Sequence, residues 1–149
     1  MYAAGTRLRP MRTRAGSVSA VVAIVVGLSV AGCGTSSDSE KAGNAVELYL
    51  AAVAQDDGAT ACGLLSPAAQ TEAVAAAHGA GATAGTCTLA VKALSAGLGN
   101  SDRSKLRLAT VSDVTIDGDT AQARLEGGDA VPLVKSGGAW KISKLPATS

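Results

Sequence analysis

"VSDVTIDGDTAQARLEGGDAVPLVKSGGAWKISKL", residues 111–145, alternates apolar with polar side chains and is interrupted three times by glycine. Leu106, Leu108, Val114 and Ile116 share one parity, the period of a strand with one buried face. Asp117-Gly118 is a hairpin signal. Ala121, Ala123 and Leu125 then alternate with Gln122, Arg124 and Glu126, and Gly127-Gly128 turns the chain again. Residues 130–135 and 139–143 flank a third turn at Ser136-Gly137-Gly138. Three tight turns between alternating runs predict a four-stranded antiparallel meander. Its first strand is expected to begin near Leu106 and to bend at residues 110–112, where the alternation lapses.

Upstream, the period becomes that of a helix. Val46, Tyr49, Leu50 and Val53 fall at i, i+3, i+4 and i+7, one apolar face. Ser37-x-x-Glu40 or Asn44-x-x-Glu47 supplies a capping pair for its start, and "QDDG", residues 55–58, ends it. A short second helix is predicted over residues 59–65 and carries Cys62. Ser66-Pro67 reads as an N-cap followed by proline at the first helical position, opening a third helix that runs to about His78. "GAGATAG", residues 79–85, invites comparison with a dinucleotide-binding glycine fingerprint. It follows an alanine-rich helix rather than a strand, so the phosphate-cradling turn has no context and a flexible loop is expected. A fourth helix over residues 86–98 carries Cys87. Helices first and a meander second make the class α+β, with the helices covering the apolar face of the sheet. The chain has no Phe, and Tyr2, Tyr49 and Trp140 are its only aromatics, so Val, Leu, Ile and Ala must build the core.

The charges are segregated. Arg7, Arg9, Arg12 and Arg14 precede any acid, the first of which is Asp38. Removing residues 1–32 takes away four of the 13 basic groups and none of the 12 acidic ones, leaving 9 against 12, a balance of −3. That disfavours a nucleic-acid partner, which needs a basic face to displace counterions. After the arginines, residues 18–31, "VSAVVAIVVGLSVA", are continuously apolar or small. This is the layout of a secretory signal. Its 14 residues fall short of the roughly 17–25 that a membrane-spanning helix needs. Met1 and Met11 are both plausible starts, since "MRTRAG" suffices as a basic leader.

Val30-Ala31-Gly32-Cys33 closes the apolar run and resembles the lipobox of bacterial lipoproteins: an aliphatic residue, two small residues, then cysteine. The resemblance implies cleavage between Gly32 and Cys33 and a thioether-linked diacylglycerol, with palmitate-type acyl chains, on Cys33. Two acyl chains anchor stably where one is marginal. Residues 1–32 are then a signal peptide and 33–41 the lipidated cysteine with a polar tether, "GTSSDSE", which spans at most about 25 Å. The chain would sit on the outer face of the cell membrane. The alternative is an ordinary signal peptide with a chance cysteine. With Cys33 lipidated, Cys62 and Cys87 remain, and two cysteines in an exported domain usually pair. Three cysteines and one histidine at these spacings match no zinc pattern, Asp117 and Asp119 lack the spacing of a calcium loop, and no cofactor is expected.

Two stretches, "AVELYLAAVAQDD" (residues 45–57) and "GGAWKISKL" (residues 137–145), resemble the NTF2-like superfamily. More narrowly, the layout is similar to small NTF2-like lipoproteins of high-GC Gram-positive bacteria. The likeness covers residues 42–146 and implies a cone-shaped roll in which a curved sheet wraps helices around a pocket, with Tyr49 and Trp140 as lining. The competing fold is a helical hairpin on an open sheet with no pocket. Some members of the superfamily are isomerases or dehydratases with an acid–base pair in the cone. Tyr49, Glu72, His78 and Asp113 are the candidates here. Each also has a plainer role: core tyrosine, helix-surface charge, helix C-terminal cation and solvent-facing strand residue. Trp140 shares its parity with Ile142 and is expected in the core. Three functions stay open: a non-catalytic module binding a small apolar ligand or an envelope protein, an accessory subunit of an envelope complex, and an isomerase- or dehydratase-type enzyme.

Overall fold

A computed structural model describes residues 36–146. The signal sequence, Gly32 and Cys33 lie outside the described residues. Five helices precede a four-stranded antiparallel sheet, an α+β arrangement. The helices are α1 (Asp38–Ala54), α2 (Gly58–Leu64), α3 (Pro67–Gly79), α4 (Cys87–Ala96) and α5 (Asn100–Leu108). The strands are β1 (Val111–Asp117), β2 (Thr120–Leu125), β3 (Ala130–Ser136) and β4 (Ala139–Ile142), hydrogen-bonded in the order β1-β2-β3-β4.

Local chemistry sets the helix ends. Ser37 Oγ accepts from the Glu40 amide at 3.2 Å while Glu40 Oε2 accepts from the Ser37 amide at 2.7 Å, a capping box that satisfies two otherwise orphaned donors. Asp38 and Glu40 also place negative charge at the positive end of the helix dipole. The polar residues 38–41, expected as the end of a tether, are therefore the first turn of α1. The "QDDG" stretch divides its work. Asp56 takes a left-handed φ of 58° just past α1, and Asp57 caps α2 by accepting from the Thr60 amide at 3.0 Å. Ser66 caps α3 with Pro67 in the first turn, and Thr86 caps α4.

The meander follows the predicted parity. Val114 and Ile116, Ala121 and Ala123, Val131 and Leu133, and Trp140 and Ile142 lie on one face and belong to the core, with α1 touching β1, β2 and β4. A register irregularity between Val111 and Asp113 marks the expected bend in β1. Gly137 and Gly138 have φ values of 60° and 80°, the paired positive φ that a two-residue type I′ hairpin demands.

Leu106 and Leu108 do not begin the first strand; they belong to α5. Their i, i+2 spacing is coincidental. Within α5 only Arg103 and Leu106, three residues apart, are partly covered, whereas Leu108 is 80% exposed. Lys105, Leu106, Arg107 and Leu108 are all good helix formers, and one inward pair at i, i+3 is enough to seat the segment.

After β4 the chain is tied back to the helices. The Ser66 amide donates to the Ile142 carbonyl at 2.8 Å, Lys141 Nζ donates to the Gly63 carbonyl, and the Leu145 amide donates to Glu72 Oε2 at 3.2 Å. Cys62 of α2 and Cys87 at the start of α4 form a disulfide with Cα atoms 5.9 Å apart. No described helix is long and apolar enough to cross a membrane.

Candidate functional site

The helical layer contains a cavity of about 450 Å³. Tyr49, Leu50 and Val53 of α1 form one wall, and Glu72 and Ala76 of α3 a second. Val91, Leu94 and Ser95 of α4, with Leu98 and Leu106, form a third, and residues 144–146 close the rim. No strand residue lines it. The cause lies in composition. The buried residues of α3 are Ala69, Ala73 and Ala77, spaced at i, i+4 and i+8. Methyl groups let helices approach along that seam, yet leave the adjoining space unfilled in a chain without Phe.

Tyr49 is 6% exposed, and burial pushes its pKa up to about 12, with the Glu72 carboxylate adding to the effect. The phenol therefore stays protonated and serves as a hydrogen-bond donor. Among the described residues no protein group pairs with its hydroxyl. Glu72 is half-buried, and only its Oε2 is engaged, by the Leu145 amide. The site thus combines an apolar wall with one free donor and one free acceptor, the composition of a small-molecule pocket.

The other candidates lie elsewhere. Trp140, expected beside Tyr49, instead borders a separate groove of about 300 Å³ with Lys41, Asn44, Ala45, Leu48 and the 138–139 turn. The two aromatics therefore line different hollows. Trp140 is core, as its parity implies. It is 4% exposed, Lys135 Nζ lies 5.5 Å from its ring centroid, and its Nε1 has no partner. His78 Nε2 lies 2.9 Å from the Ala84 carbonyl oxygen. A carbonyl only accepts, so Nε2 carries the proton and the histidine ties down the 79–85 loop. Asp113 is exposed on the outer parity of β1, bordering an open groove of about 850 Å³ between β1 and the start of α1. Of the four acid–base candidates, Tyr49 and Glu72 share a site.

One cluster escaped sequence reasoning. Arg103 of α5 donates to the Ser95 carbonyl at 2.7 Å and the Ala54 carbonyl at 3.2 Å. It also pairs with Asp56, Nη1 to Oδ2, at 3.1 Å. Ser95, 1% exposed and part of the cavity wall, donates its hydroxyl to Asp56 at 2.5 Å. The Ser95 hydroxyl, then Arg103, hold the Asp56 carboxyl below the usual carboxylate range. Such a carboxylate is a poor base, so the cluster is a pin between α1, α4 and α5 rather than an activated nucleophile. Nothing local in the sequence links positions 47 apart. Among the described residues, no group of three or more His, Cys, Asp and Glu is placed to hold a metal ion.

Compared with known proteins, the chain matches no family model, no curated protein and no solved structure.

Proposed function

We propose that this chain is an extracytoplasmic lipoprotein, anchored in the outer face of the membrane through a diacylglyceryl group on Cys33, whose domain binds one small apolar ligand without converting it. The cavity bounded by Tyr49, Val53 and Leu94 carries the binding half of this reading. Its volume, about 450 Å³, lies within the range of small-molecule sites. A neutral phenol that donates a hydrogen bond suits recognition better than proton abstraction. The lipobox at residues 30–33 carries the anchoring half, and a disulfide suits an oxidising compartment outside the cytoplasm. The NTF2-like reading rests on the capped helix α1 lying across the apolar face of a four-stranded meander. In that reading the ligand sits among the helices rather than in a cone lined by strands.

Native mass spectrometry of the full chain, extracted from the cells that make it, tests both halves. The anchoring half requires the added mass of a diacylglyceryl group on Cys33 and loss of residues 1–32. The binding half requires a retained non-covalent molecule that disappears in Val53→Trp, where the indole fills the cavity. An unmodified Cys33 would overturn the first. A bare wild-type domain, or a molecule retained equally by Val53→Trp, would overturn the second.

A further inference from the structure

The chemistry of the cavity narrows the ligand class. We infer that the site selects an uncharged amphiphile: an apolar chain or ring body carrying one head group, such as an alcohol or primary amide, that donates and accepts a hydrogen bond at once. The inference rests on the cavity reading above and deepens it.

Two polar groups enter the wall with unused capacity. The Tyr49 side chain lines the cavity, and its hydroxyl has a proton to donate but no protein acceptor among the described residues. Glu72 has given Oε2 to the Leu145 amide, and its second oxygen remains an acceptor without a donor. An occupant that displaces water from these two groups without replacing its hydrogen bonds leaves them unpaired at a cost, so the preferred occupant supplies both partners. A hydroxyl or carboxamide does so while its hydrocarbon part lies against Leu50, Val91 and Leu94.

Charged heads fit worse, for different reasons. A carboxylate would accept from Tyr49 but face the half-buried Glu72 with like charge. Lys144 at the rim is exposed, so water and salt weaken its compensation. An ammonium would meet Glu72 favourably, yet it cannot accept the phenol proton, and its desolvation in an apolar cavity costs more than one half-buried carboxylate returns.

The test uses cells expressing the full chain and three probes with the same diazirine-bearing decyl chain, ending in an alcohol, a carboxylate or an ammonium. After irradiation the protein is isolated and crosslinked peptides are mapped. The alcohol should label peptides of α1 and α4 roughly tenfold more than either charged probe, the discrimination expected when a buried polar group is left unpaired. Tyr49→Phe and Glu72→Gln should each cut alcohol labelling several-fold, and Glu72→Gln should raise carboxylate labelling by removing the like charge. Equal or stronger labelling by a charged probe would overturn the proposed class while leaving the cavity reading intact. Labelling of these peptides by all three probes no stronger than in Val53→Trp would overturn the cavity reading itself.

Discussion

The two sides of α1 are packed by different means. Toward the sheet, Val46 shares one core with Val131, Leu133, Trp140 and Ile142, all 4% exposed or less. Toward α3, α4 and α5, the helical layer buries mostly alanine, and no residue of α5 is buried at all. The first side is held by interlocking large side chains. The second is held at points: the Cys62–Cys87 disulfide, the Asp56–Ser95–Arg103 pin, and the tail amide of Leu145 on Glu72. A layer fastened at points can keep an empty space between its fastenings, and the cavity lies there. Close packing would have removed it.

The disulfide should show this contrast most strongly. Closing a loop of 25 residues is worth about 3–4 kcal/mol on the chain-entropy model. Replacing both cysteines by alanine should lower stability by that order in chemical denaturation. Hydrogen exchange should then quicken first in α2, α3 and α4, while β2 and β3 stay protected. Uniform loss of protection across both regions would show that the two sides of α1 unfold as one unit and that the contrast is only geometric.

A smaller effect should come from the approach of α2 to α4. Gly58 faces the Thr88 carbonyl oxygen so closely that an added Cβ would overlap it and lie 2.7 Å from Lys92 Cγ. A backbone atom cannot swing aside, so Gly58→Ala should push the helices apart at a cost of about 1–3 kcal/mol. A control at Gly63, where an added Cβ meets nothing within 4 Å, should be near neutral in the same thermal melt. If both variants melt alike, α2 and α4 have room to adjust and the layer is looser than its glycine contact implies.

The sheet was legible because its signals are local. Alternation assigns Ala121, Ala123 and Leu125 to one parity, Gly137-Gly138 forces a turn, and the lapse at residues 110–112 falls on the register irregularity of β1. Two of the first four helices were legible through their caps: α1 through Ser37 with Glu40, and α3 through Ser66-Pro67. Helix α5 was not, because Leu106 and Leu108 copy a strand parity and the residue that seats the helix is an arginine whose partners lie far back in the chain. Tyr49 and Glu72 were both candidates, but their meeting depends on how α3, which packs on α4, is brought alongside α1. No polar signal in the sequence marks that arrangement. The separation of Trp140 from Tyr49 likewise has no local signal.

The smallest effect distinguishes the fastenings from one another. Asp56, Asp38 and Asp57 all have carboxyls held below the usual range, each by a different partner: the Ser95 hydroxyl, Lys135 and Thr60. A carboxyl whose pKa is lower in the fold than in the unfolded chain stabilises the fold above its unfolded value, near 3.8 for aspartate. That contribution is lost as pH falls through the folded value. Acid should therefore loosen all three contacts, but at different places. Asp38 joins α1 to β3 through Lys135, Asp57 caps α2, and only Asp56 holds α5 through Arg103. In wild type, hydrogen exchange in α5 should quicken as pH falls below about 4, after correction for the intrinsic pH dependence of exchange. In Asp56→Asn the α5 amides should already exchange faster at neutral pH and show little further change in acid, while the α2 cap keeps its wild-type pH response. An α5 response to acid that survives Asp56→Asn would place the acid-sensitive fastening elsewhere.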